Sequence, residues 1–553
     1  MTSTETAHAD RFVRENLPAP EDRPDFLFAL PDLRYPARLN ASAEFVDAHV
    51  AAGHGDHPCL ISPFEHWTYR DLQARIDRIA RVLVEHLGLV SGGRVLLRAP
   101  NTPMLAAAHL AVWKAGGVVV ATMPLLRAKE LSVLIGKARI ALALCDGRLL
   151  GELEKAREAA PRLERIVAFG HGPADSEGEL ERMMAEVSGE PFSPCDTAGE
   201  DPCLIGFTSG TTGEPKGTVH NHRDLLATCD SYGRHVLRAL PSDVFVGSPP
   251  LAFTFGLGGL LLFPLRVGAS TVLLERATPD ELLPAIARHR ATICFTAPTA
   301  YRAMLGKLAG HDVSCLRIGV SAGETLPKAI WDAWHGATGI ELMDGIGSTE
   351  MLHIFIGSPQ GEIRPGATGR VVPGYEAKVV DEAGNEVPPG TIGRLAVRGP
   401  TGCRYLADER QKAYVSGGWN FTGDSYSMDE DGYFWYQARS DDMIVSSGYN
   451  IAGPEVEAAL LTHPAVAECG VVGCPDPERG QIVKAYVVLK ADHAGDAEMV
   501  RTLQDYVKAE IAPYKYPRAV EFVENLPRTG TGKLQRFRLR EMAQAEGRPE
   551  ATS

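Results

Sequence analysis

Apolar, β-rich runs alternate with helix-like patterns along most of this chain. RVLLRAP, GGVVVATMP, ATICFTAP and LRIGVSAG favour buried strands, whereas YRDLQARIDRIARVLVEHL and PDELLPAIARHR carry the spacing of helices. This alternation predicts α/β layers with largely buried sheets. At 553 residues the chain is too long for one hydrophobic core, so we expect at least two domains.

The pattern changes near the C-terminus to a compact α+β unit. We expect a helix over PEVEAALLTHPAV, strands over AECGVVGC and KAYVVLK, and a helix over AEMVRTLQDYVKAEI. The sequence therefore divides into an N-terminal domain over residues 1–438, a junction at 439–442 and a C-terminal domain over 443–553.

Charge and cysteine usage exclude several classes of protein. The 56 basic and 70 acidic residues give a net charge of −14, which argues against a general nucleic-acid surface. The ten cysteines are scattered, and the closest pair, Cys469 and Cys474, lacks CxxC spacing. The polar start has no signal-peptide core, and the apolar run at 251–265 is broken by glycines and a proline. We expect a cytoplasmic protein with reduced thiols and no membrane or nucleic-acid partner.

A glycine- and threonine-rich loop follows the short apolar run at 204–207. Its glycines permit close backbone approach, its hydroxyls offer donors, and its lysine adds a positive charge suited to a polyphosphate. It differs from the GxxxxGK[ST] loop because Pro215 and Gly217 flank Lys216. A nucleotide triphosphate is the expected ligand, and the candidate contacts are Thr208, Ser209, Gly210, Thr211, Thr212, Gly213 and Lys216.

The run TSGTTGEPKG resembles the phosphate loop of the acyl-adenylate-forming superfamily, which includes acyl-CoA synthetases, luciferases and peptide-synthetase adenylation domains. This resemblance implies a large N-terminal domain of layered α/β sheets and a small mobile α+β C-terminal domain. It also implies that ATP, Mg²⁺ and coenzyme A take part in the reaction.

Two further motifs resemble the nucleotide site of that superfamily. SAGETLP is similar to the loop along the adenine, and DGIGSTE to the segment that contacts the phosphates and the metal. The match implies that Thr349 contacts the α-phosphate and that Glu350 binds Mg²⁺, an ion that prefers oxygen ligands. Ile346 stands where many members have an aromatic residue. The remaining candidate nucleotide contacts in these two motifs are Ala322, Gly323, Glu324, Asp344, Gly345 and Ile346.

The C-terminal motifs complete the resemblance. Asp424 of TGD and Arg439 match the residues that reach the ribose, and Asp441 matches the hinge. Gly448 and Tyr449 match the loop beside the pantetheine tunnel, although Val445 replaces the usual Lys or Asn nearby. In PRTGTGK, the match makes Lys533 the residue that bridges carboxylate and α-phosphate, so the candidate catalytic residues are Lys533, Thr349, Glu350 and Asp441.

The acid-binding segments resemble those of benzoate and 2-aminobenzoate ligases. The similar stretches are PLAFTFG, GSTEMLHIF and SDDMIVSSGYNIAGPEVE, and they imply an acid pocket formed by Phe253, Thr254, Phe255 and His353. The implied reaction joins a small aromatic acid to coenzyme A through an aroyl-AMP, with 2-aminobenzoate slightly ahead of benzoate. The FTFG segment and His353 could alternatively be ordinary core.

Two other functions are compatible with these motifs. An adenylation protein that loads a carrier-protein phosphopantetheine would use the same motifs. A silent nucleotide-binding protein would be expected to lose Lys533 or Glu350, and both are present. His220 and His222 form an H-x-H pair, but no third metal ligand is evident, so a structural or solvated role is expected. The sequence leaves the oligomeric state open.

Overall fold

The computed structural model describes residues 5–170, 178–208, 214–439, 442–446, 449–476, 479–511, 513–528 and 534–546. The stretch GHGPADSEGE at 170–179, whose composition predicts an exposed loop, lies mostly outside these ranges. The first elements are α1 (Phe12–Glu15), the hairpin of β1 (Pro58–Ile61) and β2 (His66–Thr68), and α2 (Tyr69–Arg81). Helix α2 begins where it does because Thr68 and Asp71 form a capping box.

A six-stranded sheet follows, with the order β6-β5-β3-β4-β7-β8. All of its neighbouring strands are parallel except β7 and β8, which pair antiparallel. Parallel pairing requires crossover connections, and helices supply them here. The elements are β3 (Arg94–Arg98), α3 (Pro103–Lys114), β4 (Val118–Thr122), α4 (Ala128–Ala138), β5 (Leu142–Asp146), α5 (Leu150–Ala159), β6 (Arg165–Phe169), α6 (Glu179–Glu186), β7 (Pro202–Thr208) and β8 (Lys216–Asn221).

The next strands join β1 and β2 in a nine-stranded sheet. Its elements are α7 (His222–Thr228), β9 (Val244–Gly247), α8 (Thr254–Leu257), α9 (Phe263–Val267), β10 (Ser270–Val272), α10 (Pro279–His289), β11 (Ile293–Thr296), α11 (Pro298–Leu305), β12 (Ile318–Ser321), α12 (Lys328–Thr338), β13 (Leu342–Gly347), β14 (Ile354–Gly357) and β15 (Arg370–Val371). The order is β15-β14-β13-β12-β11-β9-β10-β1-β2, and β11, β12 and β13 are parallel neighbours. The carboxyl ends of these three strands therefore share one edge.

A five-stranded antiparallel sheet completes the part of the chain before residue 440. Its strands are β16 (Glu376–Val380), β17 (Gly393–Arg398), β18 (Val415–Ser416), β19 (Trp419–Met428) and β20 (Phe434–Arg439). The short helix α13 (Gln411–Tyr414) precedes β18. The largest cluster of buried apolar side chains includes residues of all three sheets, such as Leu97, Phe295 and Leu395. No helix in the described ranges is long and apolar enough to cross a membrane.

The C-terminal unit has its own sheet, in the order β22-β21-β24-β23, with β25 beside β24. Its elements are β21 (Ile444–Ser446), β22 (Tyr449–Ile451), α14 (Gly453–Leu461), β23 (Val466–Asp476), β24 (Gly480–Leu489), α15 (Ala497–Glu510), β25 (Ala519–Phe522) and α16 (Arg536–Glu546). A separate apolar cluster that includes Ile444, Val471 and Leu503 lies between these elements.

The predicted fold class of a large N-terminal α/β region and a small α+β C-terminal unit is confirmed. One predicted element was too long. The helix expected over PEVEAALLTHPAV ends at Leu461, and β23 already begins at Val466. Pro464 explains the early end, because a proline disfavours helical backbone at the residue before it.

Candidate active site

The phosphate-loop segment connects two paired strands. β7 and β8 run antiparallel, and Thr208 at the end of β7 lies opposite Lys216 at the start of β8. The Thr208 hydroxyl is buried and has no hydrogen-bond partner among the described residues, so it is available as a donor to a ligand. Five candidate contacts, Ser209, Gly210, Thr211, Thr212 and Gly213, lie outside the described residues.

Thr349 approaches strand β7 closely. A Cβ atom on Gly206 would lie 2.8 Å from Thr349 Cγ2 and 4.0 Å from Thr254 Cγ2. Only glycine leaves room for this approach without a shift of Thr349. The α-phosphate candidate Thr349 and the acid-pocket candidate Thr254 therefore lie over the same glycine.

Glu350 is buried beside a phenol hydroxyl and a lysine. The Tyr405 hydroxyl donates to Glu350 Oε1 over 2.5 Å, and Lys216 Nζ lies 3.9 Å from the same oxygen. Lys216 also lies 5.0 Å from the centre of the Tyr405 ring. Tyr405 was not among the predicted site residues, because it lies 55 positions from its partner and belongs to none of the motifs.

The Glu350 carboxylate fits a role as a magnesium ligand. Its Oε2 atom makes no hydrogen bond to any described residue, and carboxylate oxygen is a donor that Mg²⁺ prefers. The described residues contain no cluster of three or more His, Cys, Asp or Glu side chains that could hold a metal by themselves. This arrangement suits an ion held by one carboxylate together with substrate phosphates and water.

Asp424 and Arg439 lie opposite each other on β19 and β20. Arg439 Nη1 is 3.1 Å from Asp424 Oδ1 and also donates to the Thr422 carbonyl oxygen over 3.3 Å. Burial raises the pKa of Asp424 from its ordinary value, although the charge of Arg439 opposes this rise. Asp424 and Arg439, which the sequence predicts to reach the ribose, are therefore in contact with each other.

The two adenine-side segments end neighbouring parallel strands. Ala322, Gly323 and Glu324 follow β12, and Gly323 has a φ of +90° that favours glycine. Asp344, Gly345 and Ile346 lie within β13. Because ligands of open α/β sheets bind outside the carboxyl ends of the strands, this edge is suited to a nucleotide.

The acid-pocket candidates divide into two groups. The Phe255 ring centre lies 5.7 Å from that of His353, and His353 also meets Phe263 edge-on at 4.6 Å and Tyr232 at 5.5 Å. A Cβ atom on Gly258 would meet His353 Cδ2 at 2.3 Å. Phe253 is half-buried just before α8 and makes no ring contact with these residues in the described ranges.

Burial sets the charge of His353. It lowers the pKa of the ring to about 3, and neither ring nitrogen forms a hydrogen bond of normal geometry to a described residue. The ring is therefore neutral at physiological pH and cannot attract a carboxylate by charge. Tyr232 and Phe263 were missed by the sequence interpretation because they lie more than eighty positions from His353, outside every motif.

The C-terminal candidates fall largely outside the described residues. Asp441, Gly448 and Lys533 are not described, and only the backbone of Tyr449 is described, in β22. Arg528 of the C-terminal unit lies 3.9 Å from Glu324 and 2.8 Å from Glu468. The C-terminal unit therefore contacts the segment that follows β12.

Two family models match the chain. The AMP-binding enzyme model covers residues 47–405, and the AMP-binding enzyme C-terminal domain model covers residues 455–533. The chain therefore belongs to the AMP-binding enzyme family, as the motifs predicted.

Several relatives narrow the enzyme class. A benzoate–CoA ligase of Thauera aromatica is 37% identical over 517 residues, which is 92% of this chain and 97% of the relative. A 3-hydroxybenzoate–CoA ligase of Aromatoleum sp. (strain CIB) is 32% identical over 92% of this chain and 97% of its own length.

Solved structures agree with these relatives. An anthranilate CoA ligase in complex with anthranoyl-AMP has a TM-score of 0.88 and 36% identity, covering 94% of this chain and 99% of the other. A benzoate CoA ligase from Burkholderia xenovorans LB400 has a TM-score of 0.82 and 33% identity, with coverage of 91% and 100%. The class supported by these comparisons is that of AMP-forming acyl- and aryl-CoA ligases, which use ATP and CoA.

Proposed function

We propose that this protein joins a small aromatic carboxylic acid to coenzyme A through an aroyl-AMP intermediate. The observation that carries the proposal is that Thr349 and Thr254 both approach the backbone at Gly206. Thr349 is the α-phosphate candidate, and Thr254 begins the helix whose next residue, Phe255, packs on His353. An acid in this pocket would have its carboxylate beside the α-phosphate.

The reaction then proceeds in two displacements. A carboxylate oxygen attacks the α-phosphorus of ATP, an O–P bond forms, and pyrophosphate leaves. The thiolate of coenzyme A next attacks the acyl carbon, and AMP leaves. Carboxylates are poor acylating agents, so the first step supplies the leaving group that the second needs.

In this proposal the chain contributes positioning and charge rather than a nucleophile. Lys216, Thr208 and Thr349 bind phosphate oxygens, and Lys533 bridges the carboxylate and the α-phosphate. Asp424 accepts hydrogen bonds from the ribose hydroxyls. Glu350 holds Mg²⁺, which when bound neutralises phosphate charge.

The pocket favours a flat ring over a long chain. The partly exposed Phe255 packs on the buried cluster of Phe263, Tyr232 and His353, and burial of a ring against the Phe255 face contributes about 2 kcal/mol. An extended acyl chain would also lose rotamer freedom. The neutral His353 shapes the pocket, while the Thr254 hydroxyl is the group we propose to favour an ortho-amino substituent, which puts 2-aminobenzoate slightly ahead of benzoate.

A pyrophosphate-release screen tests the choice of acid. The acids are benzoate, 2-aminobenzoate, salicylate, phenylacetate, cinnamate and octanoate, each with coenzyme A, and the thioester is identified by mass spectrometry. We expect 2-aminobenzoate or benzoate to have the highest kcat/KM. A preference for octanoate would refute the aromatic pocket, and pyrophosphate release without a CoA thioester would favour transfer to a carrier protein.

Two phenylalanine variants test the pocket directly. Phe255→Ala should lower kcat/KM for benzoate by about 30-fold, the equivalent of 2 kcal/mol, because Phe255 contacts the His353 cluster. Phe253→Ala is the comparison, because its ring does not contact that cluster in the described ranges, and it should have the smaller effect. Equal rates for Phe255→Ala and the wild type would remove Phe255 from the acid pocket.

A further inference from the structure

A buried histidine contacts the backbone of the proposed phosphate-binding residue. His220 lies in β8 with no exposed surface, and its Nε2 atom is 2.7 Å from the carbonyl oxygen of Thr349. Because a carbonyl only accepts hydrogen bonds, the His220 Nε2 atom must carry the proton in this contact. The sequence predicts only a structural or solvated role for this residue.

That carbonyl belongs to the peptide that joins Thr349 to Glu350. A peptide unit is planar, so a hydrogen bond to its oxygen fixes the orientation of the whole unit. The His220 ring therefore constrains the backbone on which both the α-phosphate candidate and the magnesium candidate are carried. Neither side chain of that pair needs to touch His220 for this effect.

The ring of His220 lies against a buried ionic pair. Its Nδ1 atom is 3.7 Å from Asp224 Oδ2, and Arg404 Nη1 is 2.6 Å from the same carboxylate oxygen. Burial alone would raise the pKa of Asp224, but Arg404 holds it below its ordinary value, so the carboxylate stays charged. Asp224 also accepts from the Asn221 N–H over 3.0 Å at the start of α7.

The same strand pair holds the other side of Thr349 and Glu350. Gly206 on β7, which accommodates Thr349 Cγ2, pairs with Thr218 on β8, and Thr218 in turn bridges to Tyr405. Tyr405 donates to Glu350. The β7–β8 hairpin thus reaches the Thr349–Glu350 peptide through His220, the Thr349 methyl through Gly206, and the Glu350 carboxylate through Tyr405.

We propose that His220 is a positioning residue for adenylation, which holds the Thr349–Glu350 peptide in the orientation that binds the α-phosphate and the metal. This inference rests on the proposed roles of Thr349 and Glu350. Partners that orient the ligands of a metal change affinity or activity by about 10- to 100-fold when they are removed. We expect an effect of this size on adenylation.

The test compares His220→Leu and His220→Gln with the control His109→Leu. Leucine removes the donor, whereas the glutamine amide can place an N–H near the position of Nε2. His109 is equally buried, and its ring contacts the Leu105 carbonyl oxygen at 2.8 Å within α3, so its loss reports the cost of removing a buried histidine.

Two measurements are made on each full-length variant. The first is kcat and KM for ATP in benzoate-dependent pyrophosphate exchange. The second is the rise in Tm caused by ATP with Mg²⁺, which requires no acid and so still reports on His220 if the proposed substrate is wrong. We expect His220→Leu to lose about 10- to 100-fold in kcat and most of the ATP–Mg²⁺ stabilisation, with His220→Gln recovering much of both.

His109→Leu should lower the basal Tm but keep both nucleotide readouts near the wild-type values. The inference is overturned if His220→Leu loses no more nucleotide stabilisation and activity than His109→Leu. It is also overturned if His220→Gln is as impaired as His220→Leu. A wild type that ATP and Mg²⁺ stabilise but that activates no aromatic acid contradicts the proposed substrate class and leaves this comparison intact.

Discussion

At the scale of single residues, Glu350 illustrates how the fold prepares a charged site. Burial and the neighbouring Glu350 raise the pKa of Tyr405, so the phenol keeps its proton and donates a hydrogen bond to the carboxylate. Lys216 adds a positive charge 3.9 Å away. A carboxyl group with one oxygen held by a hydrogen bond and the other free of hydrogen bonds to described residues is suited to bind one cation.

Tyr405→Phe tests this arrangement. The variant keeps the ring beside Lys216 but loses the hydrogen bond to Glu350, so we expect metal affinity with ATP to fall by about tenfold. The measurement is Mn²⁺ binding in the presence of ATP, followed by electron paramagnetic resonance. Tyr414→Phe is the control, because that hydroxyl lies 3.5 Å from the Ser348 hydroxyl and makes no hydrogen bond to Glu350 in the described ranges. Unchanged Mn²⁺ affinity in Tyr405→Phe would exclude the positioning of Glu350 by Tyr405.

At the scale of elements, the site is built from strand ends of two sheets, the six-stranded sheet that contains β7 and the nine-stranded sheet that contains β12 and β13. β7 ends at the phosphate loop, β12 ends at the Ala322–Glu324 segment, and β13 leads into Thr349 and Glu350. The ladder between β7 and β8 places Gly206 opposite Thr218 and leaves the other side of Gly206 to Thr349. The glycine is therefore a requirement of packing and not only of the loop.

Gly206→Ala tests that close approach. The new methyl group would lie 2.8 Å from Thr349 Cγ2, so Thr349 must move, and we expect pyrophosphate exchange to slow by about tenfold. The double variant Gly206→Ala with Thr349→Ser removes the opposing methyl group but keeps the hydroxyl. It should be more active than Gly206→Ala alone. The activity of the double variant, relative to wild type, is compared with the product of the relative activities of the two single variants. If the two values are equal, the substitutions act independently, which would contradict contact between these groups.

Much of this element-level organisation could be predicted from the sequence, because buried parallel strands are continuous apolar runs and the phosphate loop is a contiguous motif. Asp424 and Arg439 also came from local motifs, and the hairpin pairs them. Tyr405, His220 and Tyr232 could not be assigned roles in this way. Their partners lie 55 or more positions away, so no local pattern marks the contact.

At the scale of the whole molecule, burial of neutral histidines makes the fold sensitive to acid. Burial lowers the pKa of His109 to about 4 and those of His222 and His353 to about 3. The unfolded chain binds protons at these positions below about pH 6.5, whereas the folded chain does not until the pH reaches the lowered values. The contribution of these neutral rings to the free energy of unfolding is therefore fully present above the pKa of the unfolded chain. It is lost as the pH falls below that pKa.

We therefore expect Tm to fall steadily between pH 7 and pH 5. For each such histidine, the free energy of unfolding falls by up to about 1.4 kcal/mol for each pH unit of acidification in this window. His109→Gln should make the dependence of Tm on pH shallower, and the exposed His86→Gln should leave it unchanged. Calorimetry across this range measures both, and an identical slope in His109→Gln and wild type would contradict the account.

Lys533→Ala tests the proposal that Lys533 of the C-terminal unit acts in adenylation and not in thioester formation. If Lys533 stabilises only the adenylation transition state, the variant should form aroyl-AMP at least about 100-fold more slowly. Thioester formation from supplied aroyl-AMP should be much less affected, because that step does not involve pyrophosphate departure. Rapid-quench assays of the two half-reactions measure this separation, and an equal loss in both would contradict it.

The most direct measurement follows the oxygen atoms of the acid through one turnover. Benzoate labelled with ¹⁸O in both carboxylate oxygens is incubated with the enzyme, ATP, Mg²⁺ and coenzyme A, and the products are analysed by mass spectrometry. Ligation through an aroyl-AMP leaves one ¹⁸O in AMP and one in the benzoyl-CoA carbonyl, with none in pyrophosphate. Label in orthophosphate, or AMP without label alongside benzoyl-CoA, would contradict the adenylate route.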